Sequence, residues 1–443
     1  MKRAVVFGAS LSGLLAARAL ADFYSEVVVV ERDTLPTSPS PRRGVPQTEH
    51  NHVLLAHGAR EYESLLPGLT EELLGAGAPH VDMMRQTRMV FSGYELARGD
   101  CDTKLIHASR GLLEHAVRSR VKGLSNVEFR EGCEATGIVH EDGRVTAARV
   151  TRLADGNRVE TLASDLVVDA LGRGGRAATW LTELGYEAPA EDRVKCDVRY
   201  VSRFVSMPAD ALNGDHFLLV GAAPGLPHLL AACYLEGDRW MLTLAGMAGV
   251  RPPTTDEGIQ EFAETMPIPD FCETLREAKP LSDPVSLHYP YSVRRRFERL
   301  RRFPDGLLVV GDALCSFNPV YGQGMTVAGM QARILRECLA EGSDNLARRF
   351  FPAASKAIDV PWSLGAGGDL AMPEVEGYRS PRIRLLNRYV ARVHRAASRD
   401  PRVAAVFFRV AGLLEPPSAL LRPGFMARVF TSRAPRRRDP RGA

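Results

Sequence analysis

The chain has 443 residues, more than one ordinary hydrophobic core accommodates, so about two domains are expected. Its 45% hydrophobic and 25% charged residues fit a soluble globular protein, and a net charge of +4 is too small to point to nucleic acid as a partner. Seven dispersed cysteines without a CxxC pair suit a reducing cytoplasm better than a disulfide framework, and no apolar stretch reaches the ~18 residues of a spanning helix.

Residues 3–7 (RAVVF) read as a short buried strand that enters a glycine turn, Gly8-Ala9-Ser10-Leu11-Ser12-Gly13. A helix is predicted from about Ser12 to Asp22, and EVVVVE (26–31) forms a second β-branched strand. Strand, turn, helix and strand within some thirty residues make a βαβ unit, which feeds a parallel sheet. It reads as the start of a fold, not as a signal peptide. In such a unit Gly8 permits the turn, Gly13 lets the helix pack closely on the sheet, and the N–H groups at the helix start point at an anion. Ser10 stands where the strict fingerprint has glycine, giving a GxSxxG variant. Glu31, 23 positions after Gly8, is placed to accept from a ribose.

The proline- and serine-rich loop TLPTSPSPRRGVPQTEHNH follows, too long and aperiodic to be a simple connection. Helices are predicted over about 53–66 and 69–76, strand-like alternation over 88–106, and a helix over 110–121 (RGLLEHAVRSRV). VEFREG, TGIVHEDGRVTAARV and RVETLASDLVVDALG read as strands joined by turns. Residues 196–300 alternate like an antiparallel sheet with hairpins. A parallel-type strand then returns in LLVVGDA (307–313), and PVYGQGM opens a further helix with Gly322 and Gly324 exposing backbone N–H groups. Asp312 could accept from the hydroxyls of an open sugar-alcohol chain, which a flavin has and a nicotinamide dinucleotide lacks. From about Pro381 the chain reads as helices broken at Asp400-Pro401 and Pro416-Pro417. The basic end, RAPRRRDPRGA, reads as a solvated terminus.

Three segments together carry a resemblance: Gly8–Gly13, Asp165-Leu-Val-Val-Asp169-Ala-Leu-Gly172, and Gly311–Gly324. The chain resembles the FAD-dependent monooxygenases built like para-hydroxybenzoate hydroxylase and squalene epoxidase, over roughly residues 1–335. The middle segment departs from the family's Asp-Gly pattern, which puts a nucleotide role for Asp169 in doubt. The resemblance implies an α/β fold. A Rossmann-like FAD-binding domain (1–80, 105–180 and 301–345) would carry an inserted β-rich substrate domain (81–104 and 181–300) and a helical C-terminal region (346–443). It implies that Gly8, Ser10 and Gly13 cradle the pyrophosphate, that Glu31 and Arg32 hold the adenosine ribose, and that Arg43 and Arg110 reach FAD. Cys133 would make a backbone contact to adenine, Asp312 would bind the ribityl chain, Gly322 would lie beside the cofactor, and Gly324 and Met325 would lie under the flavin ring.

The finer resemblance, in GVPQTEHNHVLLAHG, FNPVYGQGMTVA and PWSLGAGGDL, is to bacterial tailoring epoxidases and hydroxylases of polyketide or terpenoid pathways. It implies a cytoplasmic enzyme that uses FAD, O2 and NAD(P)H-derived electrons, with or without a separate flavin reductase. Such an enzyme epoxidises or hydroxylates a large apolar small-molecule substrate through a C4a-hydroperoxyflavin. Alternatives within the fold are a geranylgeranyl reductase-like reductase of isoprenoid double bonds and an aromatic hydroxylase. The WxWxIP run of flavin halogenases is absent.

No catalytic side chain is identified by sequence. Tyr200, Tyr234, Tyr289 and Tyr291 read as sheet residues. His50, His52 and His57 lack a settled third metal ligand and read as part of a loop near the cofactor. Trp362 and Asp369 either line a cavity or pack beneath the C-terminal helices. VAAVFFRVAGLL (403–414) reads as core or a lid rather than as a membrane contact.

Overall fold

Five short parallel strands organise the first half of the molecule, in the order Leu307–Val309, Leu166–Asp169, Arg3–Phe7, Glu26–Val30 and Val127–Arg130. The computed structural model describes residues 2–154, 156–208 and 210–432; the basic end RAPRRRDPRGA lies outside the described residues. The central strand explains the composition of its neighbours. Val5 is level with Val28 on one side and Val167 on the other, and all three are sealed from solvent. Strands buried on both faces need continuous β-branched runs rather than alternation.

Three helices cover this sheet: Leu11–Ala21, Arg110–Lys122 and Gly324–Ala340, the first packing on both others. A three-stranded antiparallel sheet, Cys133–Glu141, Arg144–Arg152 and Arg158–Ala163, flanks them. The strand Leu307–Val309, remote in sequence, completes the parallel sheet beside Leu166–Asp169. The two glycine turns therefore emerge from the same edge of one sheet, about where ligands bind in open α/β sheets.

The second body is an eight-stranded, largely antiparallel sheet. Its backbone is the run Val198–Ser206, Arg239–Gly246, His228–Leu235 and Phe217–Val220, the last pairing in parallel with Thr87–Phe91. Alternation gives it two apolar faces. One packs on the helices Asp256–Glu264 and Pro269–Glu277 through Ile259, Phe262 and Phe271. Those two short helices interrupt the region where sequence alternation predicts only strands and hairpins. The other face, with Tyr200, Cys233 and Ala245, meets the C-terminal helices through Val393, Ala404 and Phe408. The helix Pro401–Ala411, which carries most of VAAVFFRVAGLL, thus spends its apolar side on the core.

Candidate active site

Sterics fix the first turn. Gly8 has φ +100° and its N–H donates to the Val30 carbonyl at 2.8 Å. A β-carbon at Gly13 would lie 1.9 Å from the Gly8 carbonyl oxygen, so the helix can approach the strand this closely only with glycine there. Ser10 is the residue preceding the helix Leu11–Ala21, yet its side chain caps nothing. Its hydroxyl instead accepts from Arg110 Nη2 at 2.8 Å. The first N–H groups of the helix are left without a side-chain cap, as an anion site requires.

Around that turn lies a buried charge cluster. Glu31 Oε2 accepts from the Ala9 N–H at 2.8 Å and Oε1 from the Asp33 N–H at 3.0 Å. Arg42 reaches Glu31 at 3.2 Å, Asp33 at 2.9 Å and Glu114 at 3.1 Å. Arg110, which opens its helix, closes the ring on Glu114 at 3.0 Å. Burial acts to lower Arg42, but Glu31, Glu114 and Asp33 overrule it and hold the guanidinium above its ordinary range. Arg42 Nη2 is buried with no partner among the described residues.

The second turn abuts the first. Gly311, at φ +64°, donates its N–H to Gln331 Oε1 at 2.6 Å, and a β-carbon there would lie 2.3 Å from Ser12 Oγ. Next to it, Asp312 has no hydrogen-bond partner among the described residues. Burial raises its carboxyl above the usual range, with Arg110 and Arg173 opposing. Gly322 takes the left-handed conformation at φ +65°, and Gly324 starts the long helix where an added β-carbon would meet nothing within 4 Å. Gln323, before that helix, caps nothing, and its Oε1 is buried without a partner among the described residues. Met325 is buried, its carbonyl accepting from the Tyr62 hydroxyl at 3.2 Å.

The loop over 45–54 joins this region to the large sheet. His50 Nδ1 lies 2.9 Å from Ser202 Oγ, which lies 2.7 Å from Thr243 Oγ1, and the His50 ring meets Tyr200 edge-on at 4.6 Å. Burial lowers His50 to about 4 and, with help from Arg110, His52 to about 3, so both are neutral at neutral pH. His52 Nδ1 donates to the His50 carbonyl at 2.9 Å. His50 Nε2 and the Tyr289 hydroxyl are buried without partners among the described residues, and Arg173 sits 4.5 Å over the Tyr289 ring.

Asp369 braces the second turn from behind. One of its oxygens accepts from Asn318 Nδ2 at 2.7 Å and from the Tyr321 hydroxyl at 3.0 Å. The other is buried and unpartnered among the described residues, and burial lifts the carboxyl to about 6. Gly365 and Gly368 of the helix Leu346–Asp369 make room for the Tyr321 ring, a β-carbon at Gly368 falling 2.5 Å from its hydroxyl. Asp369 thus packs against the second turn, a place that neither reading of the sequence named.

Gly8, Ser10, Gly13, Glu31, Arg110 and Asp312 lie around the two adjoining turns. Cys133 comes in under Glu31, donating its N–H to the Glu31 carbonyl at 2.9 Å. Arg32 and Arg43 are exposed; Arg42, one residue before the expected Arg43, is the arginine that enters the cluster. Asp169, with its departing motif, ties up the sheet edge by accepting from the N–H groups of Leu171, Arg176 and Ala177 at 3.1, 2.8 and 2.8 Å. Glu114, Arg173, Ser202 and Thr243 carry no recognisable motif, whereas His50 and Asp369 lie in the stretches GVPQTEHNHVLLAHG and PWSLGAGGDL, though their partners could not be read from them. Of the first four, Glu114 left a trace, four residues after Arg110 on one helix face. Among the described residues no group of three or more His, Cys, Asp or Glu is placed to hold a metal ion.

Comparison with known proteins matches this geometry. A family model described as FAD binding domain covers residues 2–348. Protein Rv3254 of Mycobacterium tuberculosis is 36% identical over 429 residues, spanning 93% of this chain and 90% of that protein. The solved structure of the flavin-dependent brominase Bmp2 superposes with a TM-score of 0.68 at 14% identity, over 92% of each chain. That of p-nitrophenol 4-monooxygenase PnpA from Pseudomonas putida DLL-E4 does so with a TM-score of 0.64 at 17% identity, over 93% of this chain and 99% of that one.

Proposed function

This chain belongs to the FAD binding domain family, and on that premise we propose that it is a flavin-dependent monooxygenase of the para-hydroxybenzoate hydroxylase type that epoxidises an alkene or hydroxylates a carbon of a large apolar natural product. The electrons would come from NAD(P)H, directly or through a separate reductase. The observation that carries the reading is the junction of two bare helix starts, one unpartnered carboxylate and a loop tied to the large sheet.

The residues present fit FAD. The uncapped N–H groups after Ser10, together with Arg110 and the unpartnered Nη2 of Arg42, suit the pyrophosphate and adenosine end. Asp312, with no protein partner among the described residues, suits the ribityl hydroxyls, and the open space at Gly324 suits a flat ring beside the second helix start. When bound, FAD supplies two-electron transfer and activation of oxygen.

The chain's own groups supply the surroundings. N–H groups at the start of the helix Gly324–Ala340 stabilise negative charge placed against them. Val53, Val320, Tyr200 and Tyr289, with neutral His50, give the junction an apolar lining beside the charged Asp312 and Arg173, and that lining favours an apolar substrate and excludes water from it. His50 Nε2 and the Tyr289 hydroxyl are free to orient one oxygen of such a substrate.

The state of His50 separates the two reaction types. Taking a proton from a phenol of pKa about 10 with a base near 4 is uphill by roughly 8 kcal/mol. Epoxidation needs no such base, so a neutral His50 supports that reading over aromatic hydroxylation. The experiment is turnover of FAD-loaded enzyme with a polyene polyketide or terpenoid panel under 18O2. One labelled oxygen in the product supports the proposal. Saturation of a double bond without oxygen uptake would instead support the reductase reading.

A further inference from the structure

Residues 377–399 contain seven arginines and no acidic residue, more positive charge than the whole chain carries net. Most of this segment is the helix Pro381–Ala397. Its Val393, Ala396 and Ala397 are buried against the large sheet, so the helix is firmly mounted. Its other side is bare. Arg382, Arg384, Arg388, Arg392 and Arg395 are exposed and have no carboxylate in ion-pair distance among the described residues.

Apolar side chains stand among these charges. Leu385 is 69% exposed and shares a helix face with Arg388 and Arg392, three and seven residues on. Arg392 lies 4.4 Å over the ring of Phe430, itself 50% exposed on the neighbouring helix Pro423–Thr431. The Tyr389 hydroxyl donates to the Leu420 carbonyl, bringing exposed Leu421 and Arg422 to the same rim. Helix spacing, the Arg392–Phe430 contact and the Tyr389–Leu420 bond together place Leu385, Arg388, Arg392, Phe430 and Leu421 on one side of the molecule.

We propose that this patch docks the protein on an anionic lipid surface, the arginines meeting phosphate headgroups while Leu385, Leu421 and Phe430 enter the acyl boundary. An interfacial helix needs both signals, basic charge and inserted apolar groups, and both are present. A second copy of the chain fits less well. A twofold interface would press the arginine stripe against itself, and a handful of apolar side chains falls well short of the ~800 Å² per partner of a stable dimer. Nucleic acid would use the charge but leave the leucines unexplained. No helix among the described residues is long and apolar enough to cross a membrane, so the contact is peripheral.

The test is co-sedimentation of the FAD-loaded protein with vesicles of phosphatidylcholine alone or mixed with phosphatidylglycerol, alongside a DNA duplex competitor and a sedimentation measurement of the free protein. Binding to the mixed vesicles only, weakened by salt, is expected. Arg384→Glu/Arg388→Glu and, separately, Leu385→Asp should lower it by about tenfold or more, with flavin absorbance and melting temperature unchanged. Equal behaviour with both vesicles, unaltered binding by the variants, tighter binding to DNA, or a dimer that Leu385→Asp dissociates would each overturn the proposal.

Discussion

Ser12 and Gly311 hold the two glycine turns in contact: a β-carbon on Gly311 would lie 2.3 Å from Ser12 Oγ and 2.5 Å from Ser12 Cβ. The turns are some three hundred residues apart in the chain, and their register depends on one small side chain, that of Ser12, meeting a glycine that has none. Gly311→Ala should therefore separate them, adding the strain of φ +64° to the clash. A loss of about 2–4 kcal/mol in urea unfolding and of flavin absorbance on purification is expected. Combining it with Ser12→Gly removes the clash but not the strain, so the double variant should recover part of both. A double variant no better than Gly311→Ala alone would show that the turns do not touch in this way.

Arg42 and Arg43 are neighbours in sequence with opposite expectations. Arg42→Ala leaves Glu31, Asp33 and Glu114 buried without their shared cation. Breaking buried pairs from one side costs about 3–5 kcal/mol. Arg43→Ala, at an exposed position, should change stability by no more than about 0.5 kcal/mol. Urea unfolding of the two variants side by side checks this, and a similar loss in both would refute the placement.

That pair also marks how far the sequence could be read. The parallel sheet was legible because strands such as Val27–Val30 are buried on both faces and so carry unbroken β-branched runs. The glycine turns were legible because backbone sterics at Gly8, Gly13 and Gly311 admit no other residue. Side-chain pairings across the fold leave no such mark. His50 meets Ser202, 152 positions along the chain, and Asp369 meets Asn318, 51 positions back, each partner an ordinary residue in its own segment. In the aperiodic loop, position 42 or 43 could be chosen only by alignment, whereas burial chose Arg42. The helices Asp256–Glu264 and Pro269–Glu277 were missed because both are short, with their apolar residues few.

Asp369 should cost the protein stability at neutral pH. Its folded value, about 6, lies above its unfolded value of 3.8, so its contribution is complete only below about pH 4 and is lost as pH rises through 6. Holding the carboxyl that far above its unfolded value is worth roughly 3 kcal/mol. Asp369→Asn keeps an oxygen for Asn318 and Tyr321 but cannot ionise. It should unfold at higher urea than wild type at pH 8, with the gap closing by pH 4.5. A variant less stable at pH 8 would mean that the ionised carboxylate is a favourable brace.

Two of the buried histidines are enough to outweigh it in the opposite direction. Burial lowers His50 to about 4 and His107 to about 3, and each keeps an Nε2 away from solvent with no partner among the described residues. Folded values below the unfolded 6.5 give stability that is full above pH 6.5 and lost as pH falls toward 4. Together the two rings are worth roughly 8 kcal/mol, comparable to the whole stability of a typical domain. Protonating Asp369 over the same interval returns only about 3 kcal/mol. His52 and His394, which burial also lowers to about 3 and about 4, act in the same sense, so the net effect is acid unfolding well above the pH at which most carboxylates titrate. Tryptophan fluorescence across pH 7.5 to 4 should therefore show a steep transition beginning below pH 6.5, and native fluorescence persisting unchanged to pH 4.5 would mean that the two rings are reached by water or carry partners for their second nitrogens.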